Sequence, residues 1–402
     1  MSSLSLTANW NYPTSIRVGA GRIRELSEAC HLLGITSPLF VTDSYLARLP
    51  IVESALVHCR EAGLHVALFS DIKANPTGDN VMTGVSVYMK GQHDGVIALG
   101  GGSALDTGKA IALMVGQNHP IWDFEDIGDN WKRVNSGKIA PIIAVPSTAG
   151  TGSEVGRASV IVDTQQQQKK IIFHPKMLPS IVIIDPELTL TLPPHISAAT
   201  GMDALSHCLE AYSAPAYHPM AEGIALEGIR LIKEHLPRVM QDGNDIHSRT
   251  QMLVASLMGA TAFQRGLGAV HALAHPLGAI YDAHHGRLNA ILMPYVLRAN
   301  RSQIEHKIAR LATYLHLDDG FNGFIDWIIQ LRRKLGIEHS LAEIGIDSQH
   351  VTRIAVMATE DPSAQSNPIM FSESQYRTIL MAAINGDESY LETTIIGLAA
   401  TP

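Results

Sequence analysis

Short runs of β-forming residues separated by helical stretches recur through the first half of the chain and stop after Asp185-Pro186-Glu187. The runs are SPLFVTD (37–43), HVALFSD (65–71), DGVIALGGG (94–102), APIIAVPST (140–148) and SIVIIDP (180–186). Residues 21–33, 46–62 and 79–90 lie between several of them, with apolar side chains at helical spacing. Strands that alternate with helices predict a parallel sheet covered by helices. The runs are continuously apolar, as expected when both faces of a sheet are buried. From LTLTLPPHISAATGMDALSHCLEAYSA onward the texture is Ala-, Leu- and Met-rich with few β runs. Residues 224–236, 250–263, 303–314, 321–335 and 374–385 all carry helical periodicity. The expectation is an α/β domain with a parallel, Rossmann-like sheet over 1–195 and an all-α domain over 196–402, with no internal repeat. The Gln165–Gln168 tract reads as a hairpin or loop tip.

Composition narrows the function classes. The balance of 38 acidic to 30 basic residues gives a net charge of −8. Basic residues cluster only in short runs such as Lys169-Lys170 and Arg332-Arg333-Lys334, which argues against a nucleic-acid or anionic-membrane surface. Cys30, Cys59 and Cys208 are odd in number and far apart, so neither a disulfide framework nor a cysteine-based zinc site is expected. The opening MSSLSLTANWNYP has no basic and apolar leader regions, and Ser2 stands where N-myristoylation would need glycine. No apolar run reaches the roughly 18 residues of a spanning helix. A cytoplasmic protein is expected.

Two glycine-rich loops follow strands. In DGVIALGGGSALDTGKAIAL, Gly100, Gly101 and Gly102 precede a helical pattern carrying Asp106 and Lys109. Glycines there let backbone N–H groups approach an oxyanion, and the helix N-terminus adds partial positive charge, so a diphosphate fits. The spacing matches neither a Walker A loop nor GxGxxG, and a bare strand-to-helix turn explains this segment equally well. PSTAGTGSE (146–154) is the second loop, with Thr148, Thr151 and Ser153 as candidate donors. Two such loops at the carboxyl ends of strands in one parallel sheet lie where ligands of open α/β sheets bind. Asp43, at the end of LFVTD, suits a ribose 2′-hydroxyl and disfavours a 2′-phosphate, or else caps the segment that follows.

The second half carries a different chemistry. Asp203 and His207 in GMDALSHCLEAY share one helix face. GAVHALAHPLGAIYDAHHG holds His271, His275, His284 and His285 in an almost apolar setting. His271 and His285 would sit about 21 Å apart on one straight helix. Pro276 and Gly278 offer a break at which the chain can fold back, and Gly286 reads as a turn or C-cap. Any one of these histidines is best read as a core or capping residue. Four of them, with Asp203 and His207, point to a bound metal. A carboxylate with neutral imidazoles suits Fe(II) or Zn(II), and local chemistry does not choose between them.

ANPT (74–77), GGGSALDTGK (100–109), PSTAGTGSE, DPELTLTLPP (185–194), ATGMDALSH (199–207), HALAHPLGAIYDAHHG (271–286) and SNP (366–368) together resemble the iron-dependent, group III alcohol dehydrogenase family, across essentially the whole chain. The resemblance implies a dehydroquinate synthase-like architecture and metal ligation by Asp203, His207, His271 and His285. It makes His275 the non-ligand histidine that faces nicotinamide and substrate. It places Asp43, Asn75, Gly101, Gly102, Ser103, Asp106, Thr148, Thr151 and Lys169 at dinucleotide contacts, and assigns no role to His284. Ala74 and Ser147 depart from the family's usual Pro and Thr. The implied activity is reversible hydride transfer between a small alcohol, or its aldehyde or ketone, and NAD rather than NADP, with Fe(II) or Zn(II) as Lewis acid, in a homodimer. The alternatives are glycerol dehydrogenase-like, dehydroquinate synthase-like or maleylacetate reductase-like enzymes of the same architecture, or a metal-dependent hydrolase.

Overall fold

The computed structural model describes residues 12, 14–166, 168–387 and 389–391. Apart from Tyr12, the opening segment read for leader and myristoylation signals lies outside the described residues, as does Gln167 of the glutamine tract. The chain divides into two compact units, Tyr12–Leu192 and the part from Pro193 onward. The first is the expected α/β part and the second the expected all-α part.

In the α/β unit the strands are β1 (Ser15–Val18), β2 (Pro38–Val41), β3 (Ala67–Phe69), β4 (Gly95–Gly100), β5 (Ile142–Pro146), β6 (Ala158–Asp163), β7 (Gln168–Phe173) and β8 (Ile181–Ile184). Its longer helices are α1 (Leu26–Leu32), α2 (Pro50–Glu61), α3 (Gly78–Lys90) and α4 (Gly102–Met114). Six strands form one sheet in the order β1-β8-β5-β4-β2-β3, every pair parallel. The central strands β2, β4, β5 and β8 are buried at every position, which is why they read as unbroken apolar runs. Leu26, Cys30, Val52 and Cys59 pack with Phe40, Ile97, Ile143 and Ile183 on one face. On the other, α4 lies against β4 so closely that a Cβ on Gly108 would stand 2.6 Å from the Ala98 methyl. Burial in this core pushes the Cys30 thiol up to about 12 and the Cys59 thiol up to about 11, so both are inert side chains.

Chain direction across the sheet reverses between β2 and β4. The connection after β2 leads outward to β3, whereas the one after β4 leads the other way to β5. The crevice outside their carboxyl ends is therefore a topological switch point. Three strands, β1, β6 and β7, are absent from the runs read in the sequence, although the glutamine tract is read there as a hairpin or loop tip. The edge strand β1 is only four residues long and half exposed, too short for a periodic signal. β6 and β7 form an antiparallel hairpin with alternating burial, and the glutamine tract supplies its turn and the first residue of β7.

The helical unit contains α5 (Pro194–Ser213), α6 (Pro219–Gln241), α7 (Ile246–Ala262), α8 (Ala269–Tyr281), α9 (His285–Ala299), α10 (Arg301–Tyr314), α11 (Gly320–Lys334), α12 (Val351–Glu360) and α13 (Glu373–Asn385). α5 is buried from Ser197 to its end and packs on α6, α7 and α9. Its mixture of Ala, Ser, Gly and Leu on all sides suits a helix with no solvent face. Proline at the first position starts α5 and α6, and a reciprocal Ser372–Gln375 capping box starts α13.

The expected break at Pro276 and Gly278 is not where the chain turns. α8 runs through Pro276 to Tyr281, and the reversal is made by Asp282, which is left-handed at φ 51°. An interior proline costs a helix about 3 kcal/mol. Packing of α8 against α9 and α12 outweighs that here. Gly286 is likewise not a C-cap. It lies in the first turn of α9, where a Cβ would stand 2.3 Å from the Ala199 carbonyl oxygen and 3.2 Å from Asp203 Cβ. The absence of a side chain lets the start of α9 rest on α5, beside Asp203.

Candidate functional sites

Three helices each present two polar residues four apart, hence on one face: Asp203 and His207 from α5, His271 and His275 from α8, His285 and Asn289 from α9. Their side chains converge. Asp203 Oδ1 lies 3.8 Å from His207 Nε2, 3.9 Å from His271 Nε2 and 3.7 Å from His285 Nε2. Donor atoms of Asp203, His207 and His271 all lie within 4.8 Å of one another. Tetrahedral donors at about 2.0–2.1 Å from an ion stand roughly 3.4 Å apart, so this spacing needs little contraction. Asp203, His207 and His271 are buried, while the His285 side chain keeps 28% of its exposure. The His207 and His271 rings stack at 4.7 Å, and Phe263 packs edge-on against His207 at 5.2 Å.

The surroundings prepare imidazoles for an ion. Glu210 Oε2 is 2.5 Å from His271 Nδ1, and Glu210 Oε1 accepts from the Val270 amide at 2.7 Å. A carboxylate only accepts, so a ring proton sits on Nδ1 and Nε2 is the nitrogen that faces Asp203. Burial alone would lower the His271 pKa, but Glu210 and Asp203 hold it above the ordinary imidazole value. Asp361 plays the same part for His275, with Oδ2 at 2.8 Å from Nδ1, while its Oδ1 accepts from the Ser363 amide. His275 stacks on His285 at 5.5 Å. Asn367, from the SNP segment, accepts from the Ala269 amide and exchanges two side-chain hydrogen bonds with Asn300, which fixes the start of α8. His284 occupies the N-cap position of α9 with an exposed side chain and makes no cap bond through it.

Sequence reasoning missed Glu210, Asp361 and Asn289. Two of them left a signal. Glu210 continues the Asp203–His207 stripe by a further turn, and Asn289 repeats the four-residue spacing from His285. Asp361 stands far along the chain with no spacing to mark it.

In the α/β unit, the switch point gathers Asp43, Gly100–Gly102, Thr148 and Thr151. The register aligns Val41 with Ala98 and Gly100 with Pro146, so the three loops leave the sheet together. Gly100 is at φ +149°, a conformation open to glycine, and a Cβ there would lie 3.7 Å from Asp43 Oδ2. A Cβ on Gly101 would lie 3.5 Å from Thr148, and one on Gly102 2.8 Å from the Thr151 methyl. α4 begins here with Gly101 as N-cap and no side-chain cap bond. Its first amides have no acceptor within the helix and carry the positive end of its dipole, a seat for an anion.

Other expected contacts are placed differently. Asp43 Oδ1 accepts from the Tyr45 and Leu46 amides, so the capping reading of this residue applies to one of its oxygens. Asp106 is held on both oxygens, by Ser153 Oγ and by the Val160 amide, with Lys109 Nζ at 3.2 Å. It ties α4 to the hairpin. Ser103 lies in the first turn of α4 and accepts from Thr107 through its carbonyl. Lys169 is paired across the hairpin with Val162, whose amide donates to the Pro76 carbonyl next to Asn75. Lys170 points to the opposite side, toward Asp163 and Glu125 at 3.3 and 3.4 Å, which separates the roles of the two lysines.

Residues 13–186 match the family described as iron-containing alcohol dehydrogenase, and residues 197–384 match the C-terminal part of the Fe-containing alcohol dehydrogenase family. The chain is 37% identical over 379 residues to a 4-hydroxybutyrate dehydrogenase of Cupriavidus necator, covering 92% of this chain and 98% of that one. Among solved structures it is similar to a 1,3-propanediol oxidoreductase, with a TM-score of 0.90, 34% identity, and coverage of 94% of this chain and 100% of that one. It is also similar to sulfoacetaldehyde reductase from Bifidobacterium kashiwanohense in complex with NAD+, with a TM-score of 0.86, 27% identity, and coverage of 95% and 100%.

Proposed function

Because the chain belongs to the iron-containing alcohol dehydrogenase family, we propose that it interconverts a small primary alcohol and its aldehyde with NAD, through one divalent cation held by Asp203, His207, His271 and His285. The observation that carries this reading is the convergence of three imidazole Nε2 atoms on one carboxylate oxygen, at 3.7, 3.8 and 3.9 Å. Fe(II) or Zn(II) there would supply Lewis-acid polarisation of the alcohol oxygen.

The chain's own groups do the rest. Glu210 fixes the His271 ring with a proton on Nδ1, so that Nε2 is the nitrogen offered to the cation. Asp361 orients His275 in the tautomer with a proton on Nδ1, leaving Nε2 to accept the alcohol proton or pass it to water. The uncapped start of α4 and the glycines before it seat the diphosphate of the dinucleotide. Asp43 Oδ2 takes a ribose hydroxyl and repels a 2′-phosphate, so NAD is the expected form. Thr148, Thr151, Asn75 and Lys169 complete the proposed contacts. The complete ligand set counts against the maleylacetate reductase-like and glycerol dehydrogenase-like readings, and a hydrolase would leave both glycine loops without a use.

The test is a purified sample of known metal content, assayed with NAD and NADP against 1,3-propanediol, 4-hydroxybutyrate, methanol, longer primary alcohols and their aldehydes. Turnover that follows bound Fe or Zn and prefers NAD is expected. NADH binding with no turnover of any alcohol, or turnover indifferent to chelators, would sink the reading. Sedimentation velocity tests the proposed homodimer.

A further inference from the structure

Asn289 is fully buried on α9, one turn beyond His285. Its Nδ2 lies 2.7 Å from Asp203 Oδ1, 3.2 Å from His285 Nε2 and 3.3 Å from His271 Nε2. Those are three of the four donor atoms assigned above to the cation. Its Oδ1 is shielded from solvent and has no hydrogen-bond partner among the described residues. Leaving a buried amide oxygen unmet costs stability. Turning the amide over would set its oxygen against the Asp203 carboxylate oxygen that Nδ2 now meets at 2.7 Å, an acceptor against an acceptor. The N–H2 end is therefore the one that the Asp203 carboxylate holds at the donor atoms.

A position this near the donors also suits a ligand. An aspartate at 289 would have the same shape and add a second carboxylate. The chain instead places a neutral donor there, and the choice has an electrostatic consequence. A divalent ion with one carboxylate and three neutral imidazoles keeps one net positive charge. A second carboxylate would cancel it and with it the stabilisation of negative charge developing on the substrate oxygen.

We propose, resting on the function proposed above, that Asn289 is a positioning residue of the cation site. Its N–H2 group holds the ligating oxygen of Asp203 and covers the face formed by Asp203, His271 and His285, which confines an incoming oxygen to the faces that include His207. Its neutrality preserves the charge that the reaction uses.

The experiment compares the full-length parent with N289D, N289L and N289A. Each is stripped of metal, then titrated with Zn(II) by chelator competition and with Co(II) by visible absorption, and its melting temperature and steady-state kinetics are measured. N289D should bind Zn(II) at least about 10-fold more tightly, melt lower when stripped and gain more from Zn(II) than the parent does, yet lose about 10-fold or more in kcat. N289L and N289A should bind about 10–100-fold more weakly and shift the Co(II) spectrum, because the Asp203 oxygen is no longer held. N289A gives the same reading if the larger N289L does not fold. Parent-like affinity and Co(II) spectrum in the truncations would reduce Asn289 to packing and overturn the proposal. So would an N289D protein that loses affinity and kcat together. Failure of the parent itself to take up one divalent ion per chain would overturn the function proposed above and this inference with it. Parent-like Asn289 variants of a metal-loaded, active parent would overturn this inference alone.

Discussion

The two candidate sites are built from opposite materials. At the switch point of the α/β unit the ligand surface is backbone: glycines, the bare amides at the start of α4, and loops held by internal bonds. Its carboxylates are largely spent on the fold, Asp106 on Ser153 and Val160 and one oxygen of Asp43 on two amides. In the helical unit the surface is side chain: Asp203, His207, His271 and His285 turn their donor atoms toward one another from three buried helices. The difference predicts opposite sensitivities. A backbone site is damaged by an added side chain, and a side-chain site by a removed one.

The largest effect expected is at the side-chain site. His271→Ala removes a donor and leaves Glu210 Oε2 without its imidazole partner. Turnover should fall by about 10³-fold or more, bound metal should drop out of stoichiometry, and NADH binding followed by fluorescence should stay within about 2-fold. Loss of NADH binding along with metal would break the comparison, since the two sites would then not be independent in construction.

Gly102→Val is the converse and ranks next. A Cβ at 102 stands 2.8 Å from the Thr151 methyl, and a branched side chain would cover the first amides of α4. The NADH dissociation constant should rise about 10–100-fold with metal content unchanged. Unaltered NADH affinity would remove α4 as the diphosphate seat. Glu210→Gln is smaller again. It keeps the shape but weakens the acceptor that fixes the His271 tautomer, so metal affinity should fall about 10-fold, read by chelator competition. An equal loss of NADH affinity in that variant would count against the assignment.

The same contrast governs what could be read before folding. Continuous apolar runs revealed the central strands because those strands are covered on both faces. β1 and the strands of the β6–β7 hairpin stayed hidden because short or half-exposed strands leave weak patterns, and only the glutamine tract marked the hairpin's tip. Asp203 and His207 were legible as a pair because helical spacing alone sets their common face. The meeting of His271 with His285 was legible only as a need for a bend, and the bend was misplaced. Proline is a strong local breaker, yet tertiary packing carried α8 through Pro276, and Asp282 took a left-handed conformation that no residue type announces as glycine would. Gly286 looked like a helix end because its real reason, contact with Ala199 on α5, is long-range. Asp361 was illegible for the same cause: it meets His275 across 86 positions of sequence. The glycine loops were visible as composition, but sequence did not reveal that Asp106 accepts from Ser153 Oγ and the Val160 amide.

The smallest effect sharpens the comparison from within the backbone site. Glu154 follows the Thr151 loop, is buried, and its Oε2 meets no hydrogen-bond partner among the described residues. Burial pushes its carboxyl up to about 7, with its own backbone hydrogen bond and the charge of Lys109 pulling the other way. The folded pKa lies above the unfolded value near 4.5, so between those values the native state binds more protons than the unfolded one. Stability from this group is therefore fully present below about pH 4.5 and is lost as pH rises through about 7. Glu154→Gln keeps the shape and does not titrate. A shift to about 7 sets a ceiling of about 3 kcal/mol, and relaxation around the charged form leaves an expected effect on the order of 1 kcal/mol. Relative to the parent, E154Q should gain that amount in denaturant unfolding between pH 5.5 and pH 8.5, with metal content unaltered. Parallel pH profiles for the two proteins would mean that Glu154 is solvated or paired on unfolding and folding alike. The loop would then hold its shape through Lys109, whose ammonium donates to the Ser153 and Ala158 carbonyls, without help from a protonated acid.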